Sequence, residues 1–239
     1  MRDYPTRPPW TARLPTLDDF HGLPAPAGNS WESGQPVKAN GDGARSFVLG
    51  ARRRCWLCGY PLGPRVYAIF TETGEHYRYP GPLFAGANAM HRSCAIYSAV
   101  VCPFLRHNIS RRRLTDHSTR GQAFVAGFNG YGLFNPPGHA SAPTASAAVL
   151  LGYFDLAEEL PANTCAANYR AAVAADAKLK FTTTPRLYWT DSPEDSRRLN
   201  AMYQKDSMHA RIGLAHSGIG HGGGSLTTVG GYTYRLLRI

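Results

Sequence analysis

Two short half-sites carry the most specific chemistry in this chain. Cys55-Trp56-Leu57-Cys58-Gly59 is a C-x2-C followed by glycine, and His91-Arg92-Ser93-Cys94 is an H-x2-C. Two thiols at this spacing can face one ion when a tight turn folds between them. A glycine just after them lets the backbone take φ > 0 and turn its N–H groups toward the sulfurs. In the second half-site the spacing puts both side chains on one helical face, and a helix start favours a thiolate. Three Cys and one His make a closed, four-coordinate set, which is the composition of a structural zinc site and not of an open catalytic one. The competing reading is buried cysteines with an unrelated histidine. A single C-x2-C would not separate the two readings, but two paired half-sites favour metal. The expected ligands are therefore Cys55, Cys58, His91 and Cys94, with Zn2+ as cofactor, contributing on the order of 10 kcal/mol to folding. Cys102 reads as a small core hydrophobe and Cys165 as unliganded.

The elements that must position these ligands follow from local pattern. Between the half-sites lie 32 residues, enough for a hairpin and a loop. RVYAIF alternates as a strand, Thr73-Gly74 supplies a turn, and His76–Tyr79 can return as a second strand. MHRSCAIYSAVVCPFL predicts a helix of about three turns that Pro103 stops. Knuckle, hairpin and a helix bearing the last two ligands is the layout of a treble-clef finger. Upstream, SFVLG predicts a short strand. Residues 1–46 hold no period for long and predict a loop-rich leader, which either wraps onto the body through Tyr4, Trp10, Phe20 and Trp31 or is disordered.

Past the basic run after Leu105, GQAFVAGFNGYGLFNPP suits strands with tight turns or a loop. Ala145–Leu160 predicts a helix closed by Pro161, and Thr164–Lys180 a second helix capped by Asn163 or Thr164. FTTTPRLYW predicts a strand interrupted by Pro185. SPEDSRRLNAMYQKD predicts a helix with Ser192 at the cap, Pro193 first, and Glu194 and Asp195 in the opening turn. HSGIGHGGGS predicts a mobile loop, and LTTVGGYTYRLLRI a strand or hairpin. The expected fold class is α+β, with a loop-rich leader at 1–46, a treble-clef zinc module at 47–113 and a mixed α/β region at 114–239.

The matching residues Cys55, Trp56, Cys58, Gly59, Leu62, Gly63, His91, Arg92, Cys94, Ala95, Tyr97, Cys102, Pro103, Phe104 and Leu105 follow C-W-x-C-G-x-P-L-G, then H-R-x-C-A-x-Y and C-P-F-L. This pattern, covering about 55 residues, resembles a family of uncharacterised proteins from bacteriophages and from actinobacterial genomes with phage-like regions. The resemblance implies a phage or prophage origin and a zinc-binding core, and it carries over no activity.

The formal charge of +10 on 239 residues attracts polyanions, with nucleic acid first and acidic proteins or anionic membranes next. Arg52, Arg53 and Arg54 precede the first ligand, and Arg106 with Arg111, Arg112 and Arg113 follows the helix. In a treble clef these runs can form one phosphate-binding surface, with Trp56, Tyr67, Tyr77 and Tyr79 available for stacking. The plainer reading is a solvated face over core aromatics. The leading expectation is nucleic-acid binding through Arg52–Arg54 and Arg111–Arg113, and the alternative is a module that binds or blocks a host protein. A ββα-metal nuclease is third: His76 sits where a general base would, and Asn88 precedes the helix, but His91 is taken by zinc and His76 has no partner motif. His209, His216 and His221 flank a Gly-rich stretch that lacks P-loop chemistry, and Ser217 and Ser225 form no nucleophile elbow. No catalytic residue is assigned. MRDYPTRPPW has no apolar h-region and the apolar runs are too short to span a bilayer, so no membrane association is expected. The odd Cys count, five, suits a reducing cytoplasmic setting.

Overall fold

A computed structural model of the chain describes residues 5–17, 22–71, 88–102, 105, 123–134, 150–179, 181, 186–215, 225–229 and 232–239. These residues form a mixed α/β structure. Strands β1 (Thr16–Leu17) and β2 (Leu23–Pro24) pair, as do β3 (Asn29–Glu32) and β4 (Gln35–Gly41). Ser33 and Gly34, at φ 51° and 75°, make the tight turn of the β3–β4 hairpin. The Asp191 carboxylate accepts from the Gly34 N–H at 3.0 Å and ties that turn down.

Helix α1 (Gly43–Ala51) occupies the stretch for which a strand is expected. The apolar run is short enough to suit either state, and two features decide for helix. Asp42 caps it, accepting from the Arg45 N–H at 2.8 Å. Arg45, Val48 and Leu49 then fall on the buried face at helical spacing. Arg45 also donates to the Tyr188 carbonyl at 2.8 Å and the Thr190 carbonyl at 2.5 Å, clamping α1 to a 3-10 turn at Arg186–Trp189. That turn stands where a strand is expected, because the burial of Leu187, Tyr188 and Trp189 holds the segment compact.

One antiparallel sheet organises the rest. Strand β5 (Val66–Thr71) pairs with β6 (Ala123–Phe134), which pairs along its length with β7 (Leu150–Pro161) and at its end with β9 (Tyr232–Arg238). Strand β8 (Ser225–Val229) pairs antiparallel with β9, the hairpin form of the strand or hairpin expected there. β7 replaces the helix expected to end at Pro161. Its Leu, Ala and Glu content favours helix locally, but a register running from Phe124↔Pro161 to Phe134↔Leu150 overrides that preference. The sheet separates two cores. Tyr67 and Val125 are buried on the side that also holds Cys55, Cys58 and Cys94. Val66, Ala68, Phe70, Phe124, Ala126 and Phe128 alternate onto the other side with Tyr131 and Tyr153.

Helix α2 (Arg92–Val101) and helix α3 (Ala162–Asp176) lie where helices are expected and pack together. The cap of α3 is Pro161, with no side-chain bond, not Asn163 or Thr164. Thr164 instead donates back to the Pro161 carbonyl at 2.9 Å. Helix α4 (Pro193–Ala215) starts with its expected chemistry: the Ser192 hydroxyl accepts from the Asp195 N–H at 3.2 Å and donates to its carboxylate at 3.0 Å.

The described residues of the leader pack on the body, while Tyr4 and Phe20 lie outside the described residues. The Ala27 and Gly28 N–H groups donate to the Leu57 and Trp56 carbonyls at 3.0 and 3.2 Å, and Trp189 Nε1 donates to the Ala25 carbonyl at 3.0 Å. The return strand at His76–Tyr79 and the Gly-rich stretch at His216–Ser225 fall largely outside the described residues.

Candidate metal centre

α1 delivers the chain into the first half-site. The Cys55 N–H donates to the Tyr60 carbonyl at 2.8 Å, and the Gly59 N–H donates to the Cys55 carbonyl at 2.8 Å, closing a tight knuckle. Gly59 sits at φ +67°, and a Cβ there would lie 2.7 Å from the Trp189 ring. Only glycine meets both demands. The knuckle is then seated by Trp56, whose ring lies directly on Gly28, where a Cβ would come within 2.0 Å of it.

The second half-site stands on the first turn of α2. His91 is its N-cap residue and Cys94 lies three positions on. Met90 is bonded on both backbone groups to Tyr67 of β5, at 2.8 and 3.0 Å, so the sheet fixes where α2 begins. The first turn is capped from another element: Asp176, at the end of α3, accepts from the Ser93 N–H at 2.8 Å and from the Ser93 hydroxyl at 2.6 Å. A carboxylate there satisfies an orphan N–H and complements the helix dipole.

The four residues converge. Cys55, Cys58, His91 and Cys94 are buried, and their ligand atoms lie within 4.8 Å of one another. Cys58 Sγ is 3.3 Å from His91 Nδ1 and 3.8 Å from Cys94 Sγ, and Cys94 Sγ is 3.9 Å from His91 Nδ1. Bond lengths of about 2.3 Å to sulfur and about 2.0 Å to nitrogen place tetrahedral ligands about 3.8 Å (S···S) and about 3.5 Å (S···N) apart, so the set fits around one ion. His91 Nε2 lies 2.9 Å from the Pro61 carbonyl oxygen. A carbonyl only accepts, so Nε2 carries the proton and the Nδ1 lone pair faces the thiols. Trp10, Phe181 and Tyr60 close over the imidazole: Phe181 is 5.3 Å from it edge-on, and Trp10 stacks on Phe181 at 4.4 Å.

The four side chains shift one another's proton affinities. Burial pushes the Cys58 thiol up to about 11 and Cys94 well above its ordinary value. Cys55 is held well below its ordinary value. Burial opposes this, but hydrogen bonds from Cys58 and Cys94 and the charge of His91 outweigh it. His91 is raised, again against burial, by the charges of Cys55 and Cys58. A divalent cation replaces these protons, which is what such a donor set is suited to do.

Of the other residues singled out in the sequence, several are described and are engaged outside the four-residue set. Arg52 pairs with Asp206 at 2.6 Å. Arg53 donates to the Ile239 carbonyl at 2.5 Å and the Gly63 carbonyl at 2.8 Å, and Arg54 to the Gly59 carbonyl at 2.9 Å. Arg106, Arg111, Arg112 and Arg113, with Tyr77 and Tyr79, lie outside the described residues. Tyr67 is buried and offers no free face to a base, and Trp56 is half-buried with its ring packed on Gly28. Cys102 is the half-buried C-cap of α2, and Cys165 is buried in α3. His76, His216 and His221 lie outside the described residues, His209 is exposed on α4, and the Asn88 amide donates to the Ser46 carbonyl. Among the described residues, no helix is long and apolar enough to cross a membrane. Sequence reasoning missed Pro61, Asp176, Trp10 and Phe181 as the shell around the ligands.

No protein-family profile, curated protein or solved structure matches the chain.

Proposed function

We propose that Cys55, Cys58, His91 and Cys94 hold one structural zinc ion, and that the chain is a zinc-ordered binding protein whose partner is nucleic acid. The observation that carries the first part is the convergence of four buried side chains whose ligand atoms all lie within 4.8 Å of one another. Three thiols select a borderline-soft ion, and four protein ligands leave no position for a substrate. A treble-clef reading rests on the order of knuckle, β5 and a helix carrying the last two ligands. The phage-type reading rests on the motif over residues 55–105.

The nucleic-acid part rests on the +10 charge. Arg52, Arg53 and Arg54 are bonded within the chain, so in this reading they contribute field more than contacts, and other cations share the phosphates. A salt titration against duplex and single-stranded DNA and RNA tests it. Affinity falling steeply with ionic strength is expected, and absent or salt-insensitive binding would refute it. A host-protein partner is the second reading, favoured by Met208 and Ile212, which are 54% and 48% exposed on α4. A partner retained from host lysate after nuclease treatment would favour it.

A further inference from the structure

Helix α4 turns its acids inward and its cations outward. Leu199, Ala210 and Leu214 bury one face, and Tyr203 packs edge-on against Phe47 of α1 at 5.5 Å. The acid on that side, Asp206, is taken by Arg52 at 2.6 Å, and Asp195 is engaged by the Ser192 cap at 3.0 Å. On the opposite face Arg197, Arg198 and Lys205 are exposed, with no protein partner among the described residues. The one outward acid of the helix, Glu194, lies in its first turn, before all three.

We propose that this outward face of α4, centred on Arg197, Arg198 and Lys205, lies along the phosphate backbone of a nucleic acid. The inference rests on the nucleic-acid reading above and names the surface that serves it. From Arg197 to Lys205 the helix advances about 12 Å, the axial run of about three phosphates on one strand. Arg198 and Lys205, seven residues apart, fall on one stripe of the helix with Arg197 beside it, and arginine forks suit phosphate oxygens. Of the helix's acids, Asp206 is neutralised by Arg52, while Glu194 stays exposed in the first turn beside Arg197 and Arg198. Docking α4 on a phosphate row would leave the metal centre, on the knuckle and α2, in its scaffold role.

The test uses the full-length, zinc-loaded protein and a fluorescent 20-bp DNA duplex, measured by anisotropy at several salt concentrations. The variant R197Q/R198Q/K205Q is compared with R13Q/R170Q/R186Q, which removes the same charge from exposed arginines elsewhere. The first variant should bind at least about tenfold more weakly, with its salt slope reduced by about 2 to 3, and the second should change the slope far less. Wild type that binds with steep salt dependence, together with an α4 variant of unchanged affinity and slope, overturns this inference and leaves the nucleic-acid reading standing. No binding by wild type overturns both. Loss of binding to phosphatidylglycerol vesicles with duplex binding intact assigns the face to a membrane and overturns the inference. Acetylation of wild type gives an independent readout: duplex should protect Lys205, and an unprotected Lys205 counts against the proposal.

Discussion

His91 and Pro61 are joined by a 2.9 Å hydrogen bond from the imidazole Nε2–H to the prolyl carbonyl. Pro61 follows the first pair of ligands by a few residues, and His91 opens the second pair. The bond therefore links the two half-sites directly and aims Nδ1 before any ion arrives. Second-shell bonds of this kind tune affinity by about 10- to 100-fold.

Replacing His91 with cysteine keeps four donors but loses the bond to Pro61. H91C should bind zinc at least about tenfold more weakly, while C58S and C94S should lose stoichiometric zinc and cooperative unfolding together. Competition with a chromogenic chelator, alongside circular dichroism melts, measures both.

Metal binding should release protons. Burial holds the Cys58 and Cys94 thiols up and the neighbouring cysteines raise His91, so these groups hold protons more tightly than free side chains do, while Cys55 is held down. Zinc should displace protons, so affinity should rise with pH through the neutral range and collapse on acidification. Calorimetric titration in two buffers of different ionisation enthalpy counts the protons. A count near zero would contradict this picture.

Asp176 caps the metal-bearing helix from α3 through Ser93. Asp176→Ala should cost about 1–2 kcal/mol of stability, the range of a lost N-cap, and should speed zinc loss to a chelator. Asp176→Asn, which keeps an acceptor oxygen, should fall between the two. Thermal melts and zinc off-rates on the three proteins check the order.

Gly59→Ala should destabilise by about 2 kcal/mol or more, because a left-handed residue gains a Cβ 2.7 Å from the Trp189 ring. A melt of the zinc-loaded variant measures it. A neutral effect would mean that the knuckle or Trp189 moves aside easily.

The convergence of Cys55, Cys58, His91 and Cys94 was legible because metal chemistry leaves a spacing pattern: pairs of donors on a turn and on a helix start. Helices α2, α3 and α4 and strand β5 were legible because each carries its own periodicity or cap. α1 and β7 were not. Both hold short apolar runs whose state depends on what they meet, Tyr188 and Thr190 for Arg45 of α1 and the whole of β6 for β7. Asp176 and Trp10 left no local signal, since each reaches the centre from a part of the chain distant in sequence. The internal bonds of Arg52, Arg53 and Arg54 were hidden for the same reason: a basic run looks solvated until its carbonyl and carboxylate partners are in place.

The most direct test of the account is X-ray absorption at the zinc edge on the purified protein, with metal content measured on the same sample. One zinc per chain is expected, with three sulfurs at about 2.3 Å and one nitrogen at about 2.0 Å. A folded protein without stoichiometric metal, a shell dominated by oxygen, or a disulfide between Cys55 and Cys58 would contradict it.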